Sequence, residues 1–150
     1  MKQNAICAVF FLVCCLLVVL SPSFATTVKR ANGDVGYALF KASRTHPVSG
    51  AITFYQRDLD LIISGQFNSG FTDHRSFATC RLLILTTPVT DLTPFVVNVH
   101  IQNGGTVSFS IVLTDFIIFR GETLQNFKNK KLVVRCGVKT IGKATIKVIP

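Results

Sequence analysis

The chain has 150 residues, 49% hydrophobic and 15% charged, with a formal net charge of +9. Beyond its N-terminal segment about 120 residues remain, enough for one domain with a real core and too few for several. The positive charge is local: Ala31–Phe119 carries 5 Lys/Arg against 6 Asp/Glu, whereas Arg120–Pro150 carries 8 Lys/Arg against Glu122 alone.

The first 25 residues read as a secretory signal peptide. Lys2 precedes an uninterrupted apolar run of 16 residues, Ala5–Leu20, and Ser23 and Ala25 stand at the −3 and −1 positions of a cleavage site. A membrane anchor is the rival reading, but a bilayer span needs about 20 apolar residues. Residues 26–30 end in Lys29-Arg30, which fits a propeptide with a dibasic processing site and fits equally two exposed charges at a terminus. The expected domain is 31–150, secreted and extracellular. Cys7, Cys14 and Cys15 leave with the signal peptide, so Cys80 and Cys136 remain and are expected to form one disulfide. No Asn-x-Ser/Thr sequon is present, so N-glycosylation is not expected.

From there nearly every segment reads as strand. The runs are 36–41, 51–56, 59–67, 77–86, 94–101, 106–113, 122–127, 131–138 and 143–149. They are rich in β-branched and aromatic residues and show no sustained helical period. Arg57-Asp58 separates the second and third runs at hairpin spacing, and Asn103-Gly104 marks another hairpin. Eight or nine short strands with frequent turns predict an all-β antiparallel sandwich or Greek-key barrel. Alternation puts Val107, Phe109, Ile111 and Leu113 on one face, opposite Thr106, Ser108 and Ser110. It likewise puts Leu132, Val134, Cys136 and Val138 inward, with Lys131, Arg135, Lys139, Lys143 and Lys147 outward. An inward Cys136 stands away from the cations that would activate a thiolate, so a reactive thiol is disfavoured.

Site signatures are scarce. CxxC, HExxH, the phosphate loop, the nucleophile elbow and the dinucleotide fingerprint are all missing. His46, His74 and His100 are scattered without ligand spacing and read as surface histidines. Asp58 and Asp60 straddle a hairpin, where turn chemistry and a solvated strand face account for them. The basic stripe lacks the interleaved aromatics that single-stranded nucleic acid would stack on, and export makes nucleic acid an unfitting partner. Two readings of the stripe stay open: a charged strand face that keeps an edge soluble, and a surface for an acidic glycan, a lipid surface or a protein.

Several pieces together resemble the copper/zinc superoxide dismutase family. VSGAITFYQ (48–56) with LDLIISGQF (59–67) is similar to its opening G-x-I-x-F and V-x-G strands. NGGTVSFSIVLTDFIIFRGETL (103–124) resembles its D-x-x-G-V-A strand, the following turn and its G-R-x-L-V-V-H strand. RCGVKTIG (135–142) resembles its closing R-x-x-C-G-V-I-G. The order matches over most of Gly36–Gly142, and the resemblance implies an eight-stranded Greek-key β-barrel.

The family's metal site does not carry over. The two positions of its copper-binding H-x-H hold Ala78 and Cys80, and the later copper histidine is replaced by Phe127. Its zinc loop shrinks to RLLILTTPVTDLT (81–93), and the charged loop before the closing strand to KNKK (128–131). Its active-site arginine falls at Val133, with Arg135 nearby. Cys136 matches its last cysteine, while Cys80 stands at a different place from the family's partner cysteine. The resemblance therefore implies a dismutase-like scaffold with no catalytic residues, no copper or zinc and no other cofactor. The reading that follows is a small extracellular binding protein. The alternatives are a functional or vestigial dismutase, with copper or zinc held by a displaced His74 and His100, and a secreted lipid-binding β-sandwich whose phenylalanines line a cavity.

Overall fold

A computed structural model describes residues 33–71, 77–116 and 123–149; the segments 1–25 and 26–30 and His74 fall outside them. Strands β1 (Val35–Phe40), β2 (Ser49–Arg57) and β3 (Asp60–Ser69) follow one another as antiparallel neighbours. Their alternate residues go inward: Ala38 and Phe40, Ile52 and Phe54, then Leu61, Ile63 and Phe67 are all buried. The turn between β2 and β3 is Asp58-Leu59, with Arg57 paired to Asp60. Asp58 takes a positive φ of 52°, which its short polar side chain tolerates.

A 3₁₀ turn at Phe77–Thr79 leads into β4 (Cys80–Ile84), followed by the two-residue β5 (Thr90–Asp91) and one helical turn, α1 (Thr93–Val96). Strands β6 (Ile101–Gln102) and β7 (Gly105–Thr106) form a small ladder of their own. Asn103 and Gly104 join them, both with positive φ, the backbone a two-residue hairpin turn requires. Then come β8 (Phe109–Leu113), a second 3₁₀ turn at Leu124–Phe127, β9 (Lys131–Cys136) and β10 (Lys139–Ile149). Eight of the strands make one antiparallel sheet in the order β5-β4-β9-β10-β1-β2-β3-β8, curled into a half-barrel. All-β architecture and antiparallel pairing are thus as expected.

Three expected strands differ. The run 94–101 is helical at its start because Pro94 has no N–H to give a ladder and suits the first turn of a helix. The Asp91 carboxylate accepts the Thr93 N–H at 2.8 Å, and Leu92, Val96 and Val99 are buried at spacings of four and three. The run 122–127 becomes a 3₁₀ turn over its described part. There Thr123 and Asn126 form a reciprocal capping box, the Asn126 carboxamide oxygen accepting the Thr123 N–H at 2.8 Å. The last strand starts at Lys139 rather than 143, after a Gly137-Val138 turn. Val138 is therefore fully exposed at a hairpin tip and does not share the apolar face of β9. Thr106 and Val107 also reverse their expected faces, because β7 ends at Thr106 before β8 begins: Thr106 is buried and accepts the Phe67 N–H at 3.0 Å.

The core is largely aromatic. Phe67 packs with Phe40, Phe71, Phe77 and Phe109 at ring-centre distances of 5.3–6.4 Å, and Phe116 meets Phe127 at 6.0 Å, edge to face. One buried polar residue stitches the lower end. Gln56 is fully buried, and its Nε2 donates to the Asp60 and Asp58 carbonyls at 2.8 and 3.2 Å. Its Oε1 accepts the Leu124 N–H at 3.3 Å. The second 3₁₀ turn is thereby fixed to the β2–β3 hairpin, as a buried amide must be if it is not to cost stability.

Candidate functional site

The register decides which outward side chains stand together. On the convex face of β10, β1, β2, β3 and β8, one cross-strand row reads Ile149, Val35, Tyr55, Ile62 and Val112. Four of the five are among the exposed large hydrophobics. The next row reads Lys147, Tyr37, Thr53, Ser64 and Ser110, and there the face turns polar. Ser64 and Ser110 share a hydroxyl hydrogen bond of 2.8 Å across it.

Towards β9 and β4 the same face becomes basic. Lys131, Arg135, Lys143 and Lys147 are exposed as the alternation predicts. Lys131 lies opposite Thr145 and donates its ammonium to the Thr145 hydroxyl at 2.5 Å. Lys139 is exposed too, but a β-bulge separates it from the others. Between Thr140, opposite Arg135, and Gly142, opposite Val134, β10 carries the extra residue Ile141. An extra residue shifts the alternation by one, so Lys139 pairs with Cys136 and belongs by register to the other side of the sheet. Four of the five predicted cations share one face, and Lys139 does not.

A cation that the sequence reading left aside joins them. Arg81 on β4 stands directly opposite Arg135, and both are exposed. The signal for it was the expected disulfide: if Cys80 faces Cys136 across an antiparallel pair, residue 81 must face residue 135. Like charges placed directly across a pair are unfavourable. Asp91 is the acidic neighbour of Arg81 in a shared hollow, and its carboxylate is engaged by the Thr93 N–H. Among the described residues the single ion pair is Arg57–Asp60 at 3.4 Å, in the β2–β3 turn beyond the apolar row.

The disulfide itself is formed. Cys80 and Cys136 are paired residues of β4 and β9 with Cα atoms 4.0 Å apart, and both are buried.

The positions to which the resemblance assigns copper ligands do not form a donor set. Ala78 is exposed on the first 3₁₀ turn and has only a methyl group. Cys80 has its sulfur in the disulfide, and Phe127 lies fully buried against Phe116. Phe127 precedes the start of β9 while Cys80 adjoins its end, roughly 16 Å further along at strand rise. The atoms that bind a metal must all lie within about 2.3 Å of one ion, so these residues do not fit a copper or zinc centre. His100 is exposed and His46 lies half-buried in the β1–β2 connection. Among the described residues no three of His, Cys, Asp and Glu converge, and no helix is long and apolar enough to cross a membrane. The chain matches no protein-family model and no curated protein sequence.

Proposed function

We infer that this is a secreted, superoxide-dismutase-like β-barrel protein that acts by binding an acidic extracellular partner and carries out no catalysis. The observation that carries the reading is the band formed by Arg81, Arg135, Lys131, Lys143 and Lys147. It gathers one sign of charge on one face of the sheet, where a summed field steers acidic partners. Strand order is compatible with the scaffold: β1, β2 and β3 follow as hairpins, while the chain crosses from β3 to β4 and back from β5 to β8 between opposite parts of the sheet, long connections of the kind a Greek key uses. The interlocked phenylalanine rings argue against a lipid cavity around Phe67.

A second placement of the family's G-R-x-L-V-V-H strand leads to the same chemistry. The described part of GETLQNF is a 3₁₀ turn, whereas Leu132-Val133-Val134 on β9 repeats the family's L-V-V within a real strand. The residue after it, where the family has histidine, is then Arg135, whose guanidinium has no lone pair to offer a metal. Under either placement the copper position lacks a donor. Reconstitution with copper and zinc, followed by removal of excess metal, is expected to return well under one metal per chain and no superoxide scavenging. Stoichiometric copper with activity would overturn this reading.

Charge reversal tests the binding role. With Arg135→Glu and Lys143→Glu together, retention on a sulfated polysaccharide resin in about 0.15 M salt should be lost, because exposed charges act only over about 8 Å there. Lys139→Glu alone should leave retention nearly unchanged, since the bulge puts that residue on the other side. Both variants should keep the wild-type melting curve. A wild type that flows through at low salt, or a double variant that binds as well as wild type, would reduce the band to a solubility device.

A further inference from the structure

A cleft of about 360 Å³ opens in the middle of the basic band, between the β1–β2 connection and the outer face of β9–β10. Lys41, Ser43 and His46 line it from the connection, and Lys131, Lys143 and Thr145 from the strands; none of the described residues lining it is acidic. Continuing the β1–β10 register past Ala38↔Ile146 sets Lys41 beside Lys143, and Lys131 is one strand over, held by Thr145. Three lysines therefore border one hollow, with no acidic residue among the described residues that line it. A hollow bordered by one sign of charge raises the local concentration of anions.

The opposite wall is already ordered. The Ser43 N–H donates to the His46 carbonyl at 2.9 Å, and the His46 N–H donates to the Ser43 hydroxyl at 3.1 Å. The Thr45 hydroxyl bonds His46 Nδ1 at 3.0 Å, which leaves Nε2 as the ring nitrogen for a ligand. Walls fixed before binding need little further ordering when a ligand arrives.

We propose that this cleft seats one sulfate ester of a sulfated polysaccharide, whose neighbouring sulfates lie along the band on either side. The proposal rests on the binding role inferred above and adds a defined subsite to it. Lysine ammonium groups and a hydroxyl suit a tetrahedral oxyanion, which offers acceptors in every direction. A linear polymer is favoured over a lipid headgroup because the cations continue beyond the cleft both ways. Arg135 and Arg81 lie past one end and Lys147 past the other, roughly 20 Å in all at strand rise.

The test is titration of the purified protein with a heparin-derived hexasaccharide, with inorganic sulfate and with phosphatidylserine vesicles. Lys41→Gln with His46→Gln should weaken hexasaccharide binding about tenfold, equivalent to ~1.4 kcal/mol, at an unchanged melting temperature. In the wild type, inorganic sulfate should shift the backbone amide resonances of Ser43–His46 before those near Arg135. If the wild type binds the hexasaccharide and the cleft variant binds it equally well, the band suffices and the cleft inference alone falls. A wild type that binds no hexasaccharide overturns the glycan-binding role and the cleft together. Tighter binding to vesicles than to hexasaccharide, lost in the same variant, overturns the glycan in favour of a lipid headgroup.

Discussion

Replacing Phe127 with alanine is expected to destabilise the protein by about 3–5 kcal/mol, the cost of deleting a core phenylalanine that its surroundings cannot refill. The ring is fully buried and meets Phe116 edge to face. The turn that carries it is held on both sides: the Leu124 N–H is tied to buried Gln56, and the Lys130 N–H donates to the Phe127 carbonyl at 2.9 Å. A backbone so fixed cannot collapse into the space the ring leaves. Domains of this size are stable by only about 5–15 kcal/mol, so thermal melting should fall by roughly 10–20 °C. Lys128→Ala, one residue on and exposed, should change stability by no more than about 0.5 kcal/mol. If Phe127→Ala melts where Lys128→Ala does, the ring is not a core element and the strand and turn assignments around it are wrong.

The disulfide should have an effect of similar size. Cys80 and Cys136 are 56 residues apart in sequence, and in the chain-entropy model closing such a loop is worth about 4 kcal/mol by restricting the unfolded chain. The Cys80→Ala, Cys136→Ala double variant should lose about that much in urea unfolding, and the wild type should lose it on reduction. The unreduced protein should have a mass two hydrogens below the dithiol form. Quantitative labelling of both thiols in the folded, unreduced protein would overturn the bond.

Much of this fold was legible in alternation alone. VGYALF, AITFYQ and KLVVRC show which residues go inward, and those side chains are buried, although Val133, outward by alternation, is buried as well. The hairpin at Asn103-Gly104 was legible because few residue pairs accept two positive φ values in succession. Thr93–Val96 was not, since an unbroken apolar run looks alike as strand or helix and only the Asp91 and Pro94 start signals separate them. The turn at Leu124–Phe127 hides in the same way behind a cap made by Thr123 and Asn126.

The candidate site was legible residue by residue and illegible as a surface. Lys131, Arg135, Lys143 and Lys147 could be assigned outward singly, but their neighbours depend on register, which a single strand does not reveal. The bulge at Ile141 moved Lys139 out of the group, and Gly142 beside it, a glycine inside a strand run, was the one local signal of it. Lys41 and His46 lie some ninety residues from the stripe they join at the cleft, and no local pattern spans that gap.

The pairing of β1 with β10 gives assembly an order in time. The first and last strands of the sheet meet at its middle, and among the described strand pairings this seam joins β1-β2-β3-β8 to β5-β4-β9-β10. As the chain becomes free to fold from its N-terminal side, β1 can zip to β2 and β2 to β3, yet one edge of β1 stays bare until Lys139–Ile149 has arrived. Closing a contact across almost the whole described chain is entropically slow, and during that wait β1 offers an open template to the same strand of another copy. Whether a nascent molecule ends up folded or aggregated is then a race between the arrival of its own last strand and an encounter with a neighbour. Crowding and synthesis rate govern that race, and the stability of the finished sheet has no part in it.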